Sequence, residues 1–235
     1  MLGLIVPGGW EEFFRFIGEP YSGPTWPLHD DRDFFSIMLP KLKAASEKFD
    51  MIPCPQQQHF PPQPWAGSEN ALPGKPEPYY LKNATGPAWS VGGMIIRPLV
   101  TITESSGRFA IGSIEGSAQH NAQSIFASGS RLVFKDVHHA FYLASGSVRF
   151  DIEGCAETTL HAGELVYVPK GVRFTSEVLS RGARLYAFCN GGGMVELLQA
   201  LGEAYGETVV PERAEAYDKG KLETLKGQFG GFELC

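Results

Sequence analysis

A chain of 235 residues with a formal charge of -6 has no basic surplus with which to neutralise phosphates, so neither nucleic acid nor an anionic membrane is an expected partner. Hydrophobic residues at 43% and charged residues at 20% describe an ordinary soluble domain with apolar mass for a core, and 28 glycines with 17 prolines suit a turn-rich β protein. Cys54, Cys155, Cys189 and Cys235 form no CxxC pair, the first residues lack a basic leader, and no run approaches the ~18 apolar residues of a membrane span, so free thiols and a cytoplasmic location are expected.

In chain order, Trp10–Ile17 follows a Pro-Gly-Gly turn and stops at Gly18, which reads as a short amphipathic helix. Residues 31–49 read as a second helix, capped by Asp30 or Asp31, with Phe34, Ile37, Leu42, Ala45 and Phe49 roughly along one face. Pro40 is expected to kink or divide it. From Pro53 to Pro78 the chain is rich in proline and glutamine and reads as a long irregular connection, on which Phe60 and Trp65 form either a lid or a packed linker. Strand-like segments then crowd together at Tyr79–Leu81, Gly92–Val100, Phe109–Glu115, Gln123–Phe126, Arg131–Lys135, His139–Ala144, Val148–Ile152, Leu165–Val168, Arg173–Val178 and Leu185–Cys189. Runs of this length without intervening helices indicate a sandwich or barrel. After Gly191-Gly192-Gly193 the period changes, with Met194, Leu197, Leu198 and Leu201 at helical spacing, and another helical piece is expected near 212–226. The organisation read from this is a helical arm and linker at 1–78, a barrel at 79–190 and a helical tail at 191–235.

The most ordered pattern runs from Phe134 to Phe174. The segment Val137-His138-His139-Ala140-Phe141-Tyr142-Leu143-Ala144 ends in a Ser145-Gly146 turn, and alternation resumes in Val148, Phe150 and Ile152. A polar turn at 154–158 leads to Gly163-Glu164-Leu165-Val166-Tyr167-Val168-Pro169-Lys170-Gly171 and then Phe174. Two short β-pairs linked by glycine turns, each returning to one apolar interior, are what a small antiparallel barrel needs. This double motif resembles that of the cupin superfamily. The surrounding wording is similar to the quercetin-dioxygenase-like bicupins through Pro7-Gly8-Gly9-Trp10-Glu11, Gly92-Gly93-Met94-Ile95-Ile96-Arg97-Pro98-Leu99 and Ser113-Ile114-Glu115-Gly116-Ser117. The resemblance extends from Val6 to Glu203 and implies an all-β, cupin-type jelly-roll β-barrel with short helical N- and C-terminal arms.

Residues 8–19 also match residues 192–203 without a gap. Either two glycine-started amphipathic helices coincide, or the first copy is the helical tail of a barrel that this chain lacks. The second reading leaves the remaining barrel with the face that met its sister, and predicts a homodimer that buries this face again.

The resemblance further implies a metal site of two histidines as His-x-His, a glutamate four or five residues on, and a histidine in the second motif. That donor set suits Fe, Mn, Ni or Cu. In this chain His139 stands where the glutamate belongs, the histidine pair falls on Leu132 and Phe134 or on Val133 and Lys135, and Phe174 takes the fourth place. Catalytic metals normally take three or more protein ligands, so no metal cofactor is expected. The alternative is an atypical Fe, Cu, Ni or Mn site drawn from His120, His138, His139 or His161, although adjacent histidines on a strand point to opposite faces.

Alternation anchored on His139 turns Phe141 and Leu143 inward, where Phe134, Phe150 and Phe174 join them; Arg97, Tyr167 and Arg173 are expected near the rim. An apolar, aromatic cavity with one imidazole is how a site for a flat hydrophobic molecule is commonly built. His139 reads either as an acid–base group or as a core histidine hydrogen-bonded to backbone. Arg173 or Arg97 reads as the holder of a carboxylate, enolate or phenolate, or as a solvated strand residue. Glu115 reads as a second acid–base group or as a surface charge. The leading expectation is a metal-independent enzyme that moves protons on an aromatic or polyketide-like small molecule, by isomerisation, dehydration, cyclisation or decarboxylation. Its catalytic residues would be His139, Glu115 and Arg173. The alternatives are oxygenolytic cleavage of a flavonol-like ring at an atypical metal, and a non-catalytic small-molecule-binding cupin whose barrel is filled by its own phenylalanines.

Overall fold

The structure is a computed structural model that describes residues 3–5, 8–24, 29–49, 51–52 and 70–235. It divides the chain into two units, Met1–Gln63 and Pro64–Cys235. Phe60, Trp65 and Cys54 lie outside the described residues, as does the expectation of a lid.

In the first unit, helix α1 (Trp10–Ile17) forms where the periodicity places it. Its buried residue is Phe13, on which Trp10 stacks at 4.6 Å between ring centroids. Helix α2 (Phe34–Lys48) starts later than expected, because the Asp33 carboxylate accepts the Phe35 amide and caps it. Asp30 is instead engaged by the guanidinium of Arg32. Pro40 lies inside α2 without dividing it; Ser36 and Pro40 are both exposed, so water reaches the carbonyl that proline leaves unpaired.

The second unit carries two antiparallel sheets among its described residues. The strands are β1 (Trp89–Val91), β2 (Met94–Val100), β3 (Ala110–Gly116), β4 (Leu132–Phe134), β5 (His139–Ser145), β6 (Ser147–Ile152), β7 (Thr158–His161), β8 (Leu165–Val168), β9 (Phe174–Val178), β10 (Ala183–Cys189), β11 (Glu203–Ala204) and β12 (Phe232–Leu234). The larger sheet runs β11-β1-β2-β3-β10-β5-β8 and the smaller β12-β4-β9-β6-β7. They face each other as a jelly roll, an all-β architecture flanked by short helices.

Period-2 alternation fixes what faces inward. On β5 the burial alternates from His139 through Phe141 to Leu143, and on β6 Val148, Phe150 and Ile152 do the same. Gly146 turns β5 into β6 at φ 85°, a conformation that a side chain would strain. Helix α3 (Gly193–Leu201) closes the core with buried Met194, Val195, Leu197, Leu198 and Leu201.

Several expectations change. Gln123–Phe126 is not a strand; a 3₁₀ helix at Ala118–Gln123 takes the region, held by Asn121, whose side-chain amide donates to the Val178 carbonyl at 2.8 Å. Local polar bonds of this kind compete with strand pairing. Tyr79–Leu81 is irregular, and the Tyr79 hydroxyl donates to the Leu99 carbonyl. Strand β7 has only Leu160 buried and so shows little alternation in the sequence. The segment beyond residue 190 is not a separate tail: β11 pairs with β1, β12 pairs with β4, and helix α4 (Lys219–Leu225) buries Leu222 in the core. Among the described residues no helix is long and apolar enough to cross a membrane.

Candidate functional site

The inner face of β5 places His139 in the middle of the barrel at 1% exposure. Three phenylalanines surround its ring, with Phe134 at 4.5 Å, Phe141 stacked at 5.7 Å and Phe174 at 6.1 Å between centroids. Nε2 accepts the backbone N–H of Met194 at 3.1 Å, which leaves the proton of the neutral ring on Nδ1, where it meets the Val137 backbone. Burial lowers the His139 pKa from 6.5 to about 3; the Val137 hydrogen bond opposes this and the charge of His138 adds to it.

Met194 belongs to the first turn of α3, whose leading residue Gly192 supplies no side-chain cap. An uncapped helix start leaves N–H groups without partners. His139, registered opposite Cys189 at the end of the neighbouring β10, satisfies one of them. Beside it the Cys189 thiol lies against the amides of Val195 and Met194, yet burial pushes its pKa up to about 12, so it stays protonated. Gly193 lets the helix come this close: it has φ 52°, and a Cβ there would lie 2.5 Å from His139 Nε2. Gly193 and the Met194 amide complete the surroundings of His139, and only the Gly191-Gly192-Gly193 run hinted at them.

Inside the barrel lies a void of about 30 Å³, lined mainly by apolar groups including Phe126, Phe141, Phe150 and Phe174. On that measure one water needs ~10–15 Å³, so the void holds about two waters and no aromatic ring. Phe134, Phe141, Leu143, Phe150 and Phe174 all face the interior as expected, but as mutually packed core rather than as walls of an open pocket.

The other candidate residues lie elsewhere. Inward Ile114 and Ile96 turn Glu115 and Arg97 to the outer face of the larger sheet, so neither reaches His139. Phe174 takes the inward phase of β9, which leaves Arg173 exposed with Nη1 3.1 Å from Glu153 Oε1. On β8 it is Val168 that packs inward, so Tyr167 stands on the outside with its hydroxyl 2.6 Å from His138 Nδ1. The expected rim of Arg97, Tyr167 and Arg173 is therefore not assembled.

The donor set does not fit the metal implied by the resemblance. Leu132, Phe134 and Phe174 are buried hydrocarbon, and His139 Nε2 is already a hydrogen-bond acceptor. The further histidines are dispersed: buried His120 lies 2.7 Å from the Pro211 carbonyl, His138 meets Tyr167, and His161 is exposed. Among the described residues no group of three or more His, Cys, Asp or Glu side chains is placed to hold an ion.

No family model matches the chain. It is 25% identical over 199 residues to quercetin 2,3-dioxygenase of Aspergillus japonicus, a match covering 74% of this chain and 53% of that protein, so the chain spans about half the length of this curated relative. Solved structures similar to it include ectoine synthase from P. lautus, 13% identical over 54% of this chain and 83% of that one, with a TM-score of 0.39. Also similar are EutQ of Clostridium difficile, 19% identical over 43% and 64% at a TM-score of 0.33, and KdgF of Halomonas sp., 10% identical over 47% and 90% at 0.36.

Proposed function

We propose that this chain, a member of the cupin superfamily, is a non-catalytic small-molecule-binding protein in which the barrel interior serves as scaffold. The observation that carries this reading is the use made of His139. A general acid or base needs a free nitrogen, a pKa near the working pH and room for substrate. His139 has Nε2 taken by the Met194 amide and a pKa of about 3, and its neighbours Phe141, Phe174 and Met194 line a void the size of two waters that His139 itself does not line. Acid–base turnover of an aromatic or polyketide-like substrate at His139 is the weaker reading, because the phenylalanine cluster fills the space where such a ring would sit. Oxygenolytic cleavage of a flavonol, the activity named for the curated relative, is weaker for want of donors around His139. On this reading the ligand is met on the outside of the jelly roll. Exposed Leu165 and Tyr167 on β8, which ends the larger sheet, support a homodimer as part of the same proposal, and light scattering at micromolar concentration checks it.

The test is elemental analysis of protein purified after growth with Fe, Cu, Ni and Mn, combined with oxygen uptake in the presence of flavonols. Sub-stoichiometric metal and no uptake above the protein-free rate are expected. A stoichiometric ion with flavonol-dependent oxygen uptake would overturn the proposal.

A further inference from the structure

On the outer face of the larger sheet three neighbouring strands bring charged side chains to one buried place. Glu115 on β3 is registered directly opposite Arg184 on β10, and Arg97 on β2 is registered with Ser113, two residues before Glu115. Together with Tyr186 and the loop 81–85 these residues line a cavity of about 150 Å³. On the same measure an ordered water needs ~10–15 Å³, so the cavity has room for an organic molecule of several heavy atoms.

The polar groups inside it are incompletely used. Arg97 donates through Nη2 to the Glu207 carbonyl at 2.8 Å, but its Nε has no hydrogen-bond partner; nor has Glu115 Oε1. These atoms are 3.7 Å apart, and their side chains are 5% and 9% exposed. Arg184 Nη2 lies 3.2 Å from the same Glu115 oxygen on a side chain that is 28% exposed, which leaves an approach from solvent. Buried polar groups in folded proteins are nearly always paired, so an N–H donor and a carboxylate acceptor left without hydrogen-bond partners side by side in one cavity wall point to what would pair them. A hydroxyl answers both, accepting from Nε and donating to Oε1. Two guanidiniums against one carboxylate, with Lys82 also lining the cavity, leave positive charge that a second carboxylate would neutralise.

We infer that this cavity is a binding site for a short 2-hydroxycarboxylate, its hydroxyl bridging Arg97 and Glu115 and its carboxylate held by Arg184. The inference rests on reading the chain as a binding protein, and gives that reading a site and a ligand class.

The experiment titrates the protein with glycolate, lactate and malate, and with acetate, propionate and succinate as counterparts lacking the hydroxyl. Calorimetry supplies Kd and amide NMR shifts locate binding. Hydrogen bonds to charged groups are worth enough that the hydroxy acid of at least one pair should bind about tenfold more tightly than its counterpart. The shifts should centre on Arg97, Ser113, Glu115 and Arg184. The variant Arg184→Gln should weaken binding about tenfold, in protein shown by its thermal transition to be folded. Glu115→Gln should reduce the preference for the hydroxy acid; should it fail to fold, the Arg184→Gln result and the wild-type shifts carry the decision. No binding, equal binding of both series, or shifts elsewhere would overturn the site, the last two as adventitious anion binding and the first as water only. Failure of the site without metal or turnover leaves the scaffold reading of the barrel standing, whereas turnover in the barrel with binding intact at Arg184 removes that reading alone.

Discussion

His139 Nε2 accepts the backbone N–H of Met194 at 3.1 Å, so a side chain on β5 caps the first turn of a helix through a residue 55 positions further along the chain. The bond joins the inner wall of the larger sheet to the first turn of α3, and it occupies the nitrogen that acid–base or metal chemistry would require.

Removing this cap is expected to destabilise the fold. In His139→Ala the Met194 amide loses its acceptor and the phenylalanine cluster gains a hole, for a combined cost of about 3 kcal/mol. Urea unfolding monitored by circular dichroism measures it. A change below about 0.5 kcal/mol, the level of an ordinary surface substitution, would show that the bond does not support α3.

The same ring makes stability depend on pH with a defined sign. Its folded pKa lies near 3 and its ordinary value is 6.5, so between these limits the unfolded chain binds the extra proton. The stability is fully present above pH 6.5 and declines as pH falls toward 3, by up to ~1.4 kcal/mol per unit. The difference between wild type and His139→Phe isolates this contribution from the carboxylates. Parallel pH profiles for the two proteins would contradict it.

Gly193→Ala combines a left-handed backbone with a contact against the imidazole. A loss of about 2–4 kcal/mol is expected, from the strained φ together with displacement of the cap. Thermal unfolding of the purified variant provides the measurement, with Gly182→Ala as a control, because a Cβ there has nothing within 4 Å and its φ is not in the left-handed range.

Phe174→Ala should convert the small void into a cavity large enough for an apolar guest. Truncating a buried phenylalanine costs about 3–5 kcal/mol, and an apolar cavity of this kind stays dry and takes benzene or xenon. Benzene is therefore expected to raise the thermal midpoint of the variant and not that of the wild type. An equal response in both would mean that the barrel is already open.

The strands around His139 were legible because β5 and β6 alternate strictly, and an apolar phase anchored on Phe141 and Phe150 leaves one way to face the core. Leu165-Val166-Tyr167-Val168 is apolar at every position, so its phase is undetermined until β8 is laid beside β5; the pairing then turns Tyr167 out with Ala140. Glu115 and Arg97 were legible as residues of interest but not in their facing, which Ile114 and Ile96 decide. Arg184 carries no signal of its own in the sequence although it shares a strand face with Tyr186, because its relation to Glu115 exists only through the β3–β10 register. The partner of His139 was the least visible of all, since a backbone amide leaves no letter in a sequence.

The small volume of the barrel void has a mechanical consequence. Hydrostatic pressure unfolds proteins largely in proportion to the empty space that unfolding abolishes. A can stuffed with its own rings offers compression little to collapse, so squeezing should be a far weaker denaturant of this interior than heat or urea, until one of those rings is cut away.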